Sequence, residues 1–529
     1  MKNKTQAYAQ ANAKWKAVVK LLLGVEPREL KAHEEWLYDP PVKRMERKSS
    51  ISGKPVVYAQ AGYAQGAKCV SLDEIEFGKE EGGVDLGNVR DIAMLADAVR
   101  GKICYAGNIV LGNSKFVEKS TNIIDSFYVY HSEKIAHGKN IAYSSVGSQE
   151  SECVFGSHGF GKISFMVKAK SVMNSTRCLE LHKSEYCTDC YYSHGLYNCS
   201  DCIFCFNLRN RKYCIGNLEL PAEKYFGVKK RILKELGEKL LAQRRLPALT
   251  GMFEGIMPDL ENVGGIVRGK APAKKQQDKS RIERAFEKTT GIIFGRAYPH
   301  IDRYGEWLSR FTAGKTLGAS CASKERLVVP DHVNFCEFPK DRLVLLWEAD
   351  LLGENLKIGE EEAMGISLEN SPKAISKIAY FCVEWEMGNT ANNIEAQLNL
   401  GSTDCYRSIL NVYSKLCAYD YWPRDSECLF GCNEGRSSSF CIKCYHSENL
   451  QRCFEVDTSK NCSDCFFCHN CENVHDSMFC FNVKNMKYAI GNVEVGRERY
   501  LQVKGTVLDG LKKELEKTGG IKRSVFDPF

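Results

Sequence analysis

Two Cys-x-x-Cys pairs, Cys187-Thr188-Asp189-Cys190 and Cys462-Ser463-Asp464-Cys465, stand at equivalent places in the two halves of the chain. Two intervening residues let both sulfurs reach one ion, as in structural zinc sites where thiolates sit about 2.3 Å from the metal. Each pair has matched neighbours. Cys178 and Cys453 precede the pairs, Cys205 and Cys480 lie eighteen residues beyond the first Cys, and His194 and His469 lie four beyond the second. These ten side chains are the candidate ligands, and the cofactor expectation is either zinc or none. Redox work at a Cys-x-x-Cys needs a lowered thiol pKa, as at a helix N-terminus; the strand-like context here argues against it.

The competing reading makes the thiols interior packing. Cys444 corresponds to Ala169, Cys471 to Leu196 and Cys468 to Ser193. A free Cys behaves as a small hydrophobe, whereas a zinc site cannot exchange a thiolate for Ala or Leu. Most of the 25 cysteines therefore read as core, and only the matched set stays open between core and ligand.

Other chemistry is sparse. Gly-x-Ser-x-Gly, His-Glu-x-x-His and a dinucleotide fingerprint are missing from the sequence. Gly156 to Lys162 has P-loop spacing, but Ile163 stands where Ser or Thr would bind Mg²⁺. No catalytic residue is assigned, and the reading leans away from an enzyme. Basic residues gather at Arg209, Arg211 and Lys212, at Lys229 and Lys230, and at Lys274 and Lys275. These are the candidate phosphate contacts. A net charge of +7 over 529 residues is mild for a nucleic-acid binder, and solvated surface charge is the plainer reading.

The elements that must hold these residues are written twice. Leu21-Leu22-Leu23-Gly24 recurs as Ile292-Ile293-Phe294-Gly295, Glu35-Trp36-Leu37 as Glu306-Trp307-Leu308, and Cys205 to Asn217 as Cys480 to Asn492. The spacing predicts a helix through Trp15, Val18, Val19 and Leu22 ending at Gly24. Strands follow at Val56-Val57-Tyr58 and Cys69 to Leu72, matched by Leu327-Val328-Val329 and Leu343 to Leu346, with short helices near 89–99 and 374–383. Cys444, Cys453, Cys462, Cys471 and Cys480 are then nine residues apart, with small or apolar residues at every third position. A fixed short period signals a solenoid, here with a nine-residue unit and Cys444, Cys462 and Cys480 stacked. A helix striped by Tyr225, Val228, Ile232, Leu233 and Leu236, and by Tyr500, Val503, Val507, Leu508 and Leu511, caps each one.

The closing motif carries a resemblance. Cys205, Phe206, Asn210, Lys212, Tyr213, Ile215, Asn217 and Tyr225, with Cys480, Phe481, Asn485, Lys487, Tyr488, Ile490, Asn492 and Tyr500, form Cys-Phe-x-x-x-Asn-x-Lys-Tyr-x-Ile-x-Asn followed by Tyr. This resembles an uncharacterised family of microbial Cys-rich repeat proteins, about 100 residues per copy. The resemblance implies a repeat fold and no activity.

The expected fold is thus α+β, a tandem duplication of a unit made of N-terminal helices and a small sheet, a Cys-laddered β-solenoid of about nine-residue repeats, and a C-terminal capping helix. The boundaries are 1–107, 108–217, 218–250, a linker at 251–284, then 285–389, 390–492 and 493–529. The halves are expected to pack as a pseudo-dimer. Apolar runs such as Leu343 to Trp347 are far short of the roughly 20 residues of a membrane span, and dense Cys without a secretion signal suits the cytoplasm. The functional expectation is a non-enzymatic cytoplasmic scaffold or interaction protein presenting solenoid faces to a macromolecular partner. An RNA- or ribonucleoprotein-associated factor and a zinc-binding or thiol-dependent protein are the alternatives.

Overall fold

The computed structural model describes residues 5–39, 45–58, 62–64, 66–77, 84–87, 89–273, 277–331 and 337–529. It is a mixed α/β structure dominated by parallel strands. One sheet of sixteen strands runs from Val110–Leu111 to Leu218–Glu219, parallel throughout except for its last pair. A second parallel array, of shorter strands joined by single bridges, runs from Glu386–Met387 to Ala489–Ile490.

Pairing in both arrays advances by twelve residues: Glu133 with Ser145, His158 with Lys170, and Thr176 with Thr188 in the first; Gln397 with Ile409, and Glu427 with Ser439, in the second. Thirteen-residue steps also occur, between Val110 and Ile123 and between Ser145 and His158 in the first array and between Glu386 and Asn399 in the second. The expected nine-residue repeat is therefore corrected to twelve, and Cys444 is in register with Cys432 rather than Cys462. Nine is instead the offset at which a thiol meets a carbonyl. Cys187 Sγ lies 3.6 Å from Leu196 O, and Cys462 Sγ 3.6 Å from Cys471 O. The sequence periodicity records that contact, not the strand pairing.

Every third residue of the arrays is left-handed, as in Asn122, Asp125, Tyr128, His131, Lys134, His137 and Asn140. That conformation costs a non-glycine residue roughly 1–2 kcal/mol, so the backbone must be fully satisfied elsewhere. It is. The left-handed residue donates its N–H thirteen residues back, Asn207 to His194 O at 2.8 Å. The residue before it donates eleven ahead, Thr188 to Cys199 O at 3.1 Å. The third residue of the triplet faces inward, and its N–H finds a side chain twelve residues earlier. Ser132 donates to Ser120 Oγ at 3.0 Å, Ser144 to Ser132 Oγ at 3.1 Å, and Cys190 to Cys178 Sγ at 3.4 Å. Small polar or sulfur side chains serve this role, which explains the exchanges of Cys with Ser between the copies. Asn tolerates the left-handed region, and Asn449, Asn461, Asn473 and Asn485 form a surface amide ladder at 3.0, 3.2 and 3.1 Å.

Helices flank the arrays. Gln6–Leu23 and Ser280–Phe294 each end at a left-handed glycine, Gly24 and Gly295, which closes the helix without a Cβ penalty. Ala222–Gln243 and Arg497–Thr518 bury the expected Tyr, Val and Leu stripes. Three readings need revision. The linker region contains a helix, Leu260–Val267, with Val263 and Val267 buried. Leu346–Asn355 is helical where a strand was expected to finish. Residues 374–383 hold only the end of a short helix, Ser371–Ile375, and a strand at Phe381–Cys382. Apolarity alone does not separate a buried strand from a buried helix over so few residues.

The halves exchange parts. One core joins residues 8–37 and 130–267 to 321–383, with Leu398, Ile409 and Tyr421 of the second array; the other joins 56–105 to 282–308 and 394–526. The small elements of each half thus cover the array of the other.

Candidate functional site

The ten candidate ligands do not converge on a point. Cys178 and Cys190 face inward one above the other, Cys187 and Cys205 occupy other inward positions, and all are buried. Cys453, Cys462, Cys465 and Cys480 repeat this. Among the described residues no group of three or more His, Cys, Asp or Glu is arranged to hold a metal. Burial pushes the thiols of Cys190, Cys205 and Cys465 well up, and contact with Cys468 together with burial does the same for Cys480, opposite to the shift a reactive thiolate needs; burial also raises Cys453, but its neighbours Cys441 and Cys465 outweigh this and hold it well down.

His194 and His469 hold the exchange together. His194 Nε2 accepts the Cys382 N–H at 3.0 Å, and His469 Nε2 accepts the Ala106 N–H at 3.0 Å. Accepting at Nε2 places the ring proton on Nδ1, from which His469 donates to Asp457 Oδ2 at 2.8 Å. Asn207 and Asn482 make similar contacts, donating to Tyr380 O at 2.9 Å and to Cys104 O at 2.7 Å. Buried lysines, which the sequence reading did not single out, are matched too. Lys168 and Lys443 donate to Trp36 O and Trp307 O at 3.0 and 2.9 Å. The recurring Glu-Trp-Leu was the signal that could have found them.

The basic candidates are largely neutralised. Arg209 bonds Asp350 Oδ1 at 2.9 and 2.7 Å, Lys229 bonds Asp201 at 2.8 Å, Arg211 lies 3.7 Å from Glu219, and Lys212 lies over the Tyr213 ring. Lys230 is exposed. Lys274 and Lys275 lie outside the described residues. The paired aromatics Tyr191, Tyr192, Phe466 and Phe467 are buried and offer no stacking face.

The cavity of interest lies elsewhere, where the two arrays meet side by side. It has a free volume of about 370 Å³. Phe160, Met173 and Tyr186 line it from the first array; Trp385, Leu398, Leu410, Tyr413 and Trp422 line it from the second. A polar recess of about 230 Å³ shares Glu185, Trp385, Met387 and Gly388 with it and adds Lys183, Arg209 and Glu386. Glu185 is 5% exposed. Its Oε1 accepts from Asn174 Nδ2 at 2.9 Å, and its Oε2 has no hydrogen-bond partner. Burial raises this carboxyl above its ordinary value, and interactions with Asn174 and Tyr186 oppose that in part.

The register-matched positions elsewhere between the arrays carry paired charged side chains instead. Counting in register from the matched Cys178 and Cys453, Lys134 corresponds to Leu410, Gly159 to Glu434, and Ser171 to His446. At one junction Lys134 and Glu434 form an ion pair between arrays, and His446 bonds Asp457 at 3.0 Å. At the other, Leu410, Gly159 and Ser171 line the open cavity. The space beside His446 is only about 10 Å³.

Comparison of the chain with protein-family models, with curated proteins and with solved structures finds no match. Among the described residues no helix is long and apolar enough to cross a membrane.

Proposed function

We propose that this chain is a non-enzymatic binding protein: a tandemly duplicated β-solenoid whose recognition site is the cavity between its two solenoids. The solenoid reading rests on the twelve-residue register together with a left-handed residue at every third position, which gives four three-residue sides per coil. The duplication reading rests on the matched motifs and on the reciprocal His194 and His469 contacts. The resemblance to Cys-rich repeat proteins fits the same coil, since inward positions favour small side chains. A reducing compartment such as the cytoplasm suits a chain whose 24 described cysteines are all unpaired.

One observation carries the binding role. Two equivalent junctions have diverged, one filled by Lys134, Glu434 and His446, the other left open and lined by apolar and aromatic side chains. Packing pressure alone would fill both, because an unfilled interior forfeits contacts. A volume of about 370 Å³ with few polar groups is the usual form of a small-ligand site. It also suits a partner protein's apolar side chains, the scaffold role.

The test is Nile red, a neutral apolar dye, titrated against the full chain and against the double variant Gly159→Glu with Leu410→Lys, which transplants the closed junction. Stoichiometric binding by the parent and none by the variant supports the reading. No binding by the parent, or equal binding by both folded proteins, ends it.

A further inference from the structure

The cavity also says what kind of ligand it takes, an inference that rests on the binding reading above. Its walls are aromatic: Trp385, Trp422, Tyr413, Tyr186 and Phe160. Aromatic faces are electronegative and attract cations. Where the apolar cavity meets the polar recess stands Glu185, almost fully buried, with one carboxylate oxygen fixed by Asn174, the Tyr186 side chain beside the carboxyl, and no cation of the chain paired with it. A buried carboxylate lacking a cationic partner carries a desolvation cost that a bound cation relieves.

Arg209 is committed to Asp350. Arg424 also lines the cavity; its guanidinium lies 4.2 Å over the Trp422 ring, its acidic neighbours are Glu434 and Glu448 rather than Glu185, and its Nε has no hydrogen-bond partner. Lys183, in the recess, faces Glu384 and Cys382. Glu185 is thus the anionic group, set below the aromatic rim, that no cation of the chain neutralises.

We infer that the cavity binds an organic cation with an aromatic or aliphatic body, its ammonium group at Glu185 and its apolar part against Trp385, Trp422 and Tyr413. Tyr413 is 67% exposed and Tyr186 48%, so the aromatic rim is accessible from solvent while the carboxylate lies deeper.

The experiment uses the full chain and three probes of one shape: benzyltrimethylammonium, its uncharged carbon isostere neopentylbenzene, and the anion phenylmethanesulfonate. Binding is read by calorimetry and by fluorescence of the cavity tryptophans. The expected result is that the cation binds at least tenfold more tightly than the neutral isostere and the anion not at all. Glu185→Gln should weaken the cation about tenfold and leave the neutral isostere unchanged, and Tyr413→Ala, a surface change that spares the fold, should weaken the cation severalfold. Equal affinity for cation and neutral probe, or a Glu185→Gln variant that binds the cation as well as the parent, overturns the cation assignment while leaving the binding site standing. Failure of all three probes, with Nile red also unbound, overturns both.

Discussion

Gly353 offers the sharpest test of the exchange between halves. It lies in the helix Leu346–Asn355 of the second half, and a Cβ built on it would sit 1.8 Å from the carbonyl oxygen of Asn207 in the first array. An ordinary carbon–oxygen contact is about 3.3 Å, so Gly353→Ala forces the helix back by roughly 1.5 Å. That displacement disturbs buried Ala349 and Leu352 and the Asp350–Arg209 pair carried by the same helix. Overpacking of this kind costs about 1–3 kcal/mol. Gly→Ala in a helix otherwise gains up to about 1 kcal/mol. Gly510, in Arg497–Thr518, supplies the control, because a Cβ there meets nothing within 4 Å. Urea unfolding should therefore find Gly510→Ala slightly stabilised and Gly353→Ala less stable than it by roughly 1–3 kcal/mol. If both midpoints shift alike, the helix does not press on the first array and the exchanged packing is refuted.

Four further outcomes are expected. Burial holds the His194 ring well below its ordinary pKa, so the unfolded chain binds the proton first; stability is intact above pH 6.5 and falls by about 1.4 kcal/mol per pH unit below it, and His194→Gln, which keeps an acceptor, should remove that slope in acid-range unfolding curves. Burial raises the Asp457 carboxyl, but its bonds to His446 and His469 outweigh this and hold it below the usual range; its stabilisation is present above pH 3.8 and lost as pH falls further, and Asp457→Asn should flatten that acid limb. Cys190 packs between Cys178 and Cys202, so Cys190→Ser should cost little and Cys190→Leu about 1–3 kcal/mol by denaturant titration. All described cysteines except half-exposed Cys104 are buried, so a thiol reagent should label the described thiols of the native protein far more slowly than those of the denatured one; rapid labelling of many would contradict the inward placement.

Much of the architecture was legible in the residue pattern. The inward position at every third residue, the helix ending at Gly24 and the striped capping helices follow from apolar spacing and glycine. The pairing offset was not, because two periods coexist: the nine-residue thiol-to-carbonyl contact of Cys187 with Leu196 leaves a stronger mark on Cys than the twelve-residue register of strands whose outward residues vary freely. The cavity was invisible for another reason. It depends on which faces of two distant arrays meet, and Leu410, Gly159 and Glu185 look ordinary one by one. The recurring motifs pointed to His194 and His469, each of which accepts a backbone N–H of the opposite half. The informative difference was the reverse one, Lys134 against Leu410 and Glu434 against Gly159, where the register-matched positions disagree.

The exchanged packing also sets a timetable. His194 leaves the ribosome 188 residues before Cys382, the group it must meet. At about 5–20 residues per second that is a wait of roughly 10–40 s. Ala106 waits longer still for His469, 363 residues downstream. Through that interval the first array can coil and cap itself, yet one flank stays bare, while the small elements before it have nothing to cover. Neither half can complete its core until the other has been made, so the nascent chain carries uncovered apolar surface until translation is nearly over.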